Sequence, residues 1–178
     1  MEGVGCLVSL GQIQCGHACP ERDKLDENRV YLDSCSSFHQ VFTKKHLHDI
    51  NTTMMRLKGD CNAGTTYSKR KGWWQGFHMW LVESGIANLF SVPQLESDSF
   101  TIEYNTNRDW VVTTSEGEEI VFKKETGKYK GFPFIEMDSQ EALALLQSVL
   151  KVETVRGNYE GFTKTMWEKL SRLAKHRQ

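Results

Sequence analysis

Charge of either sign is nearly absent as a net quantity: 22 Lys and Arg stand against 23 Asp and Glu in 178 residues. That balance excludes a whole-chain electrostatic pull toward nucleic acid or an anionic membrane. Long apolar runs are missing too, and nothing approaches the roughly 20 residues of a membrane span. Met1 to Gly11 is short and glycine-broken, unlike a secretory signal, and five cysteines is an odd count. Together these predict an intracellular chain with reduced thiols. A Cys-x-x-Cys pair is lacking, and there is no internal repeat. What is present is material for a core: 39% hydrophobic residues, with nine Phe and five Trp. The length suits one domain, or one domain with a small second element.

The chain is organised around Val30-Tyr31-Leu32-Asp33-Ser34-Cys35-Ser36-Ser37-Phe38. The apolar run reads as a buried strand, and the small residues after it as a tight turn whose hydroxyls bond its own backbone. A carboxylate at that junction is costly to desolvate unless hydrogen bonds or a partner charge hold it. Asp33 is therefore either a functional acid or an Asx-turn residue serving only the local backbone.

Before this stretch, Cys15, His17 and Cys19 alternate closely, with Cys6 as a fourth soft ligand. They are weak zinc candidates, because the spacing is too tight for a common finger; unpaired thiols in a loose tail are the alternative. Phe38 to Ile50 reads as a loop with one helical turn. Its His39, His46 and His48 are either bases or ligands, or ordinary surface residues. Met54 to Leu57 reads as a short strand. The small residues Gly59 to Thr66 and the aromatic stretch Gly72 to Trp80 suit a hairpin that moves over a cleft, or one whose tryptophans pack on the core.

Gly85 to Leu95 reads as a strand or turn passing into a short helix. Beyond it the period is two: Phe100, Ile102 and Tyr104, then Trp110 and Val112, then Ile120 and Phe122. Turns at 105–108, 115–117 and 126–131 make this a β-meander ending in Phe132 to Met137. Asp138 with Glu141 forms a capping-box pattern that opens a helix through Leu143, Leu146 and Leu150, broken at Gly157 to Gly161. A last helix, Lys164 to Arg177, has a basic face that either meets nucleic acid or is simply solvated.

The order of these pieces resembles a known family. A strand ending in Leu32-Asp33-Ser34-Cys35-Ser36, a Gly-rich segment, and then Ala87-Asn88-Leu89-Phe90-Ser91-Val92-Pro93-Gln94-Leu95 is similar to the retropepsin-like protease region of copia-type LTR retrotransposon Gag-Pol polyproteins. There the acid stretch runs Leu-Asp-Ser-Gly-Ala-Ser or a variant, and the later stretch Asn-Leu-Leu-Ser-Val-x-x-Leu. Cys61-Asn62-Ala63-Gly64 and Gly85-Ile86-Ala87-Asn88 look like the algal and protist branch. Phe134-Ile135-Glu136 and Asn158 to Thr163 look like the sequence between protease and integrase in that branch. The resemblance covers roughly Leu25 to Gln178.

What the resemblance implies is a mainly β fold. A retropepsin-like closed β-barrel half, the acid protease fold, is extended by a β-meander and by one or two C-terminal helices. Residues 1–24 would be a flexible segment holding a worn zinc knuckle, and 25–97 the retropepsin-like domain. The meander at 98–137 would continue that domain, and 138–178 would be a helical tail toward an integrase region, the whole being a fragment of the polyprotein. The implied activity is an aspartic endopeptidase that processes its own polyprotein. The chain offers one acid motif, so the dyad implies a homodimer, each copy giving Asp33. Ser34 would brace the paired loops, and Ser36 or Ser37 would bond the outer carboxylate oxygen.

A hairpin from Asp60 to Gly76 would be the flap, with Asn62, Ala63, Gly64, Trp74 and Gly76 toward the substrate. No cofactor is implied beyond zinc at Cys15, His17 and Cys19. The implied partners are a second copy and a polypeptide substrate, with nucleic acid only through neighbouring polyprotein domains and no membrane. The implied location is the cytoplasm, in virus-like particles, or the nucleus. Cys35 departs from the family, which usually has Gly there. A Cβ at that place costs about 1–2 kcal/mol if the backbone is left-handed, and puts activity in question. The alternatives are an inactive retropepsin-like module for dimerisation or peptide binding, and a spacer of an integrase and reverse-transcriptase polyprotein with a nucleic-acid-related role.

Overall fold

Val30, Tyr31 and Leu32 are all buried, so both faces of their strand are covered and it lies inside the sheet rather than at an edge. The computed structural model describes residues 4–6, 24–61, 64–107, 109–126 and 130–156. Its elements, in chain order, are β1 (Val4–Cys6), β2 (Arg29–Asp33), β3 (Gln40–Val41), β4 (His48–Cys61), β5 (Gly64–Trp74), β6 (Phe77–Leu81), β7 (Asn88–Ser91) and α1 (Val92–Ser97). There follow β8 (Thr101–Tyr104), β9 (Trp110–Thr113), β10 (Glu119–Lys124), β11 (Pro133–Glu136) and α2 (Gln140–Arg156). The fold is mainly β, as expected, with a helix after the last strand. The strands follow the order β1-β4-β5-β6-β3-β7-β2-β11-β10-β9-β8, an open series with β1 and β8 at its ends rather than a closed barrel.

Strand β2 runs parallel to β7 and antiparallel to β11. The meander is therefore not an appendage: its last strand covers the flank of the strand that carries Asp33. Its alternation holds, Ile120 and Phe122 being buried while Glu119, Val121 and Lys123 face out. The main core joins Leu32, Phe90, Phe77, Met79, Phe122 and Leu145. Fully burying each such side chain contributes roughly 1.5–3 kcal/mol.

Three expectations change. Phe38 to Ile50 holds β3 and the start of β4 besides the expected loop, whose one turn is closed by the Leu47 N–H on the Lys44 carbonyl at 3.1 Å. Met54 to Leu57 is not a strand of its own but part of β4, whose pairing with β5 shifts between Thr52 and Leu57. The extra residues bulge outward, which leaves Met54 and Met55 exposed and breaks the period of two. Helix α2 opens from Ser139, whose Oγ accepts the Ala142 N–H at 3.3 Å, not from a box begun by Asp138. It packs back on the core through Ala142, Leu145 and Leu146. The zinc candidates Cys15, His17 and Cys19, and the helix expected at 164–177, lie outside the described residues.

Candidate active site

Asp33 ends β2 with its backbone in parallel register with Ser91, the last residue of β7. The side chain is buried, at 4% exposure, and its Oδ1 accepts the Cys35 N–H at 2.9 Å. That bond is the Asx-turn of the bland alternative, and it coexists with burial of the acid.

The turn after Asp33 is tied to the start of α1. Ser91 Oγ donates to the Ser36 carbonyl at 2.6 Å and accepts the Gln94 N–H at 3.2 Å as the helix N-cap. Gln94 Oε1 accepts the His39 N–H at 3.0 Å, and His39 Nδ1 accepts the Ser91 N–H at 3.0 Å. One side of the ring thus belongs to the chain after Asp33 and the other to β7 and α1. Asn88, fully buried at the other end of β7, donates to the Glu27 and Arg29 carbonyls and accepts the Phe42 N–H.

Ser34 and Cys35 are exposed at the tip of the turn. Cys35 is not among the residues with positive φ, which apart from glycine are Asp49, Gln75 and Ser99 among the described residues. The left-handed penalty raised for its Cβ therefore does not arise within the chain. The Ser36 hydroxyl donates to the Phe38 carbonyl at 2.8 Å.

The flap expectation divides. Arms β4 and β5 form a long hairpin paired out to Cys61 and Gly64, and its tip, Asn62 and Ala63, lies outside the described residues. Trp74 and Gly76 belong to the opposite end and are no part of a mobile cover. Trp74 is 1% exposed, and its Nε1 donates to the Met137 carbonyl at 3.2 Å. Gly76, at φ +85°, turns β5 into β6 beneath α2. The described part of the segment from Asp60 to Gly76 is thus the end of β4, all of β5 and the turn into β6, not one hairpin.

His39 and His46 are buried, not surface residues. His39 packs on Phe90 and Phe77, and burial pushes its pKa down to about 3, which leaves a neutral ring that accepts at Nδ1. His46 Nδ1 lies 3.4 Å from an Asp138 carboxylate oxygen. No cluster of three or more His, Cys, Asp or Glu is placed to hold a metal ion among the described residues.

At the start of β2, Arg29 bonds Glu125 at 2.6 Å and Glu136 at 2.8 Å and lies over the Phe134 ring. Burial alone lowers its pKa, but the two carboxylates outweigh this and raise it. Tyr31 is pushed up to about 12 by burial first, then by Glu125. From sequence, His39 is legible only as a base, a ligand or a surface residue, and Ser91, Gln94 and Asn88 are not legible as site-building residues. Ser91 carried a signal, a serine two residues before a proline where a helix begins; a polar Asn88 among apolar neighbours was another.

Comparison with protein-family models, with curated proteins and with solved structures gave no significant match. No helix among the described residues is long and apolar enough to cross a membrane.

Proposed function

We propose that this chain is the retropepsin-like aspartic endopeptidase module of a copia-type retrotransposon polyprotein, working as a homodimer. One observation carries the reading: a buried acid ends a central strand, and the exposed turn after it hangs from a parallel strand and the helix that follows. An Asx-turn alone requires neither the burial nor the four-residue lattice behind it.

The chemistry explains why two copies are needed. A single carboxylate cannot at once take a proton from water and give one to the scissile carbonyl. Two carboxylates held close share one proton, because like charges resist full ionisation. Asp33 of one copy, ionised, would take a proton from water as its oxygen attacks the carbonyl carbon. Asp33 of the other, protonated, would donate to the carbonyl oxygen. The tetrahedral intermediate then collapses: the C–N bond breaks, the departing amine takes the proton that the first Asp33 gained from water, and the hydroxyl formed from the carbonyl returns its proton to the second Asp33. Ser34 and Cys35, exposed beside the acid, would meet their twins across the axis. In this reading each chain supplies half of the acid protease fold, and the β4–β5 tip would cover the bound peptide.

The test is cleavage of peptides spanning the junctions of such a polyprotein, at mildly acidic pH. Cleavage that disappears in Asp33→Asn is expected; equal cleavage by that variant overturns the proposal. Cys35 favours one second reading, an inactive dimerisation or peptide-binding module. Dimers of both wild type and Cys35→Gly that never cleave would select it.

A further inference from the structure

Away from the acid, strands β4, β5 and β6 form a ribbon with a distinct outward face. Along β5 the buried Ser68, Gly72 and Trp74 alternate with Tyr67, Lys69, Lys71 and Trp73, which are exposed or half-exposed. Trp73 is paired with His78 on β6, their rings 3.6 Å apart, and Lys71 lies opposite Trp80 with its ammonium 4.3 Å from that ring. Tyr67, half exposed, carries the Arg56 guanidinium 3.8 Å from its ring.

Charge is concentrated on the same ribbon. From His48 to Val82 there are five Lys and Arg and only two Asp, in a chain whose net charge is −1. Lys58 and Arg70 reach Asp60 and Glu83, while Arg56, Lys69 and Lys71 make no ion pair among the described residues. Burial, then the charge of Lys71, lowers the pKa of His78 and so disfavours the charged form of the ring stacked on Trp73.

We propose that this outward face binds single-stranded nucleic acid, the cations taking phosphates and Tyr67 and the Trp73–His78 pair taking bases. Flat rings between cations suit a polymer that alternates anions with aromatic surfaces. An acidic peptide would use the cations and leave the rings idle. The site is separate from Asp33 and does not rest on the protease reading.

The experiment is fluorescence anisotropy of labelled oligouridylate and oligothymidylate with the full chain, between about 50 and 200 mM salt. Lys69→Ala with Lys71→Ala is expected to weaken binding roughly tenfold or more and to reduce the salt slope by about two. Trp73→Ala is expected to weaken it roughly five- to a hundredfold, and Trp73→Phe to retain most of it. Should Trp73→Ala lose its cooperative melt, the lysine pair and Trp73→Phe decide. Asp33→Asn should bind as wild type does. The proposal is overturned if wild type fails to bind at the lower salt, or if the lysine pair binds unchanged. It is equally overturned if Lys164→Ala, Lys169→Ala and Arg172→Ala together abolish binding, or if oligoglutamate displaces the oligonucleotide at equal charge.

Discussion

Asp33 and Ser91 are paired side by side on parallel strands, and the Ser91 hydroxyl bonds the Ser36 carbonyl in the turn that Asp33 begins. The acid and the N-cap of α1 therefore form one unit. A hydroxyl that at first sight caps a six-residue helix also fixes the chain just after the carboxylate.

Ser91→Ala removes a buried donor to Ser36 and the acceptor of the Gln94 N–H. We expect a loss of about 1–3 kcal/mol in urea unfolding. Peptide cleavage should fall further than stability does, because a small displacement of a reacting group costs much rate. Equal unfolding midpoints for variant and wild type would contradict this.

The buried His39 gives the fold an acid-side weakness. Its pKa is about 3 in the folded chain and 6.5 ordinarily, so between these values only the unfolded chain takes the proton. Stability is full above about 6.5 and falls as pH drops through the window, by up to roughly 1.4 kcal/mol per pH unit. Urea midpoints measured from neutral to mildly acidic pH should show this slope, and His39→Gln should flatten it. An unchanged slope in the variant would assign the effect to other groups.

Arg29 binds β2 to the meander through Glu125 before β11 and Glu136 within it. Replacement by Ala leaves two carboxylates facing each other where one is largely buried, and should cost about 1–3 kcal/mol. Lys, which cannot span both acids with one planar group, should recover only part. Thermal melts at low and high salt read both effects, the loss shrinking as salt rises.

Gly76 tests the packing of α2. Its φ of +85° disfavours any side chain, and a Cβ there would lie 2.9 Å from Val149 Cγ1. Gly76→Ala should destabilise by about 1–2 kcal/mol from the backbone alone, with the contact adding to it. Val149→Ala in that background should relieve the contact, while the backbone cost remains. No rescue in unfolding experiments would mean the contact adds nothing.

Local signals made part of this architecture readable in advance. The apolar run into Asp33, the period of two from Phe100 to Phe122 and the helix at Val92–Ser97 all declare themselves within a few residues. Pairing across the chain does not. Nothing near Trp74 announces that Met137 will accept its N–H, so an aromatic beside glycines leaves cover and core equally open until the partner is seen. The bulge at Met54 and Met55 hid the length of β4 by breaking its alternation. His39 reads from sequence as a base, a ligand or a surface residue, because its Ser91 and Gln94 partners lie more than 50 residues away.

The central claim is that Asp33 is one half of a pair completed by a second copy. The most direct test adds increasing Asp33→Asn chain to a fixed amount of wild type, after unfolding and joint refolding, and follows peptide cleavage. The account predicts that cleavage falls toward zero as mixed pairs replace wild-type pairs. Cleavage that stays constant as the variant is added would contradict it.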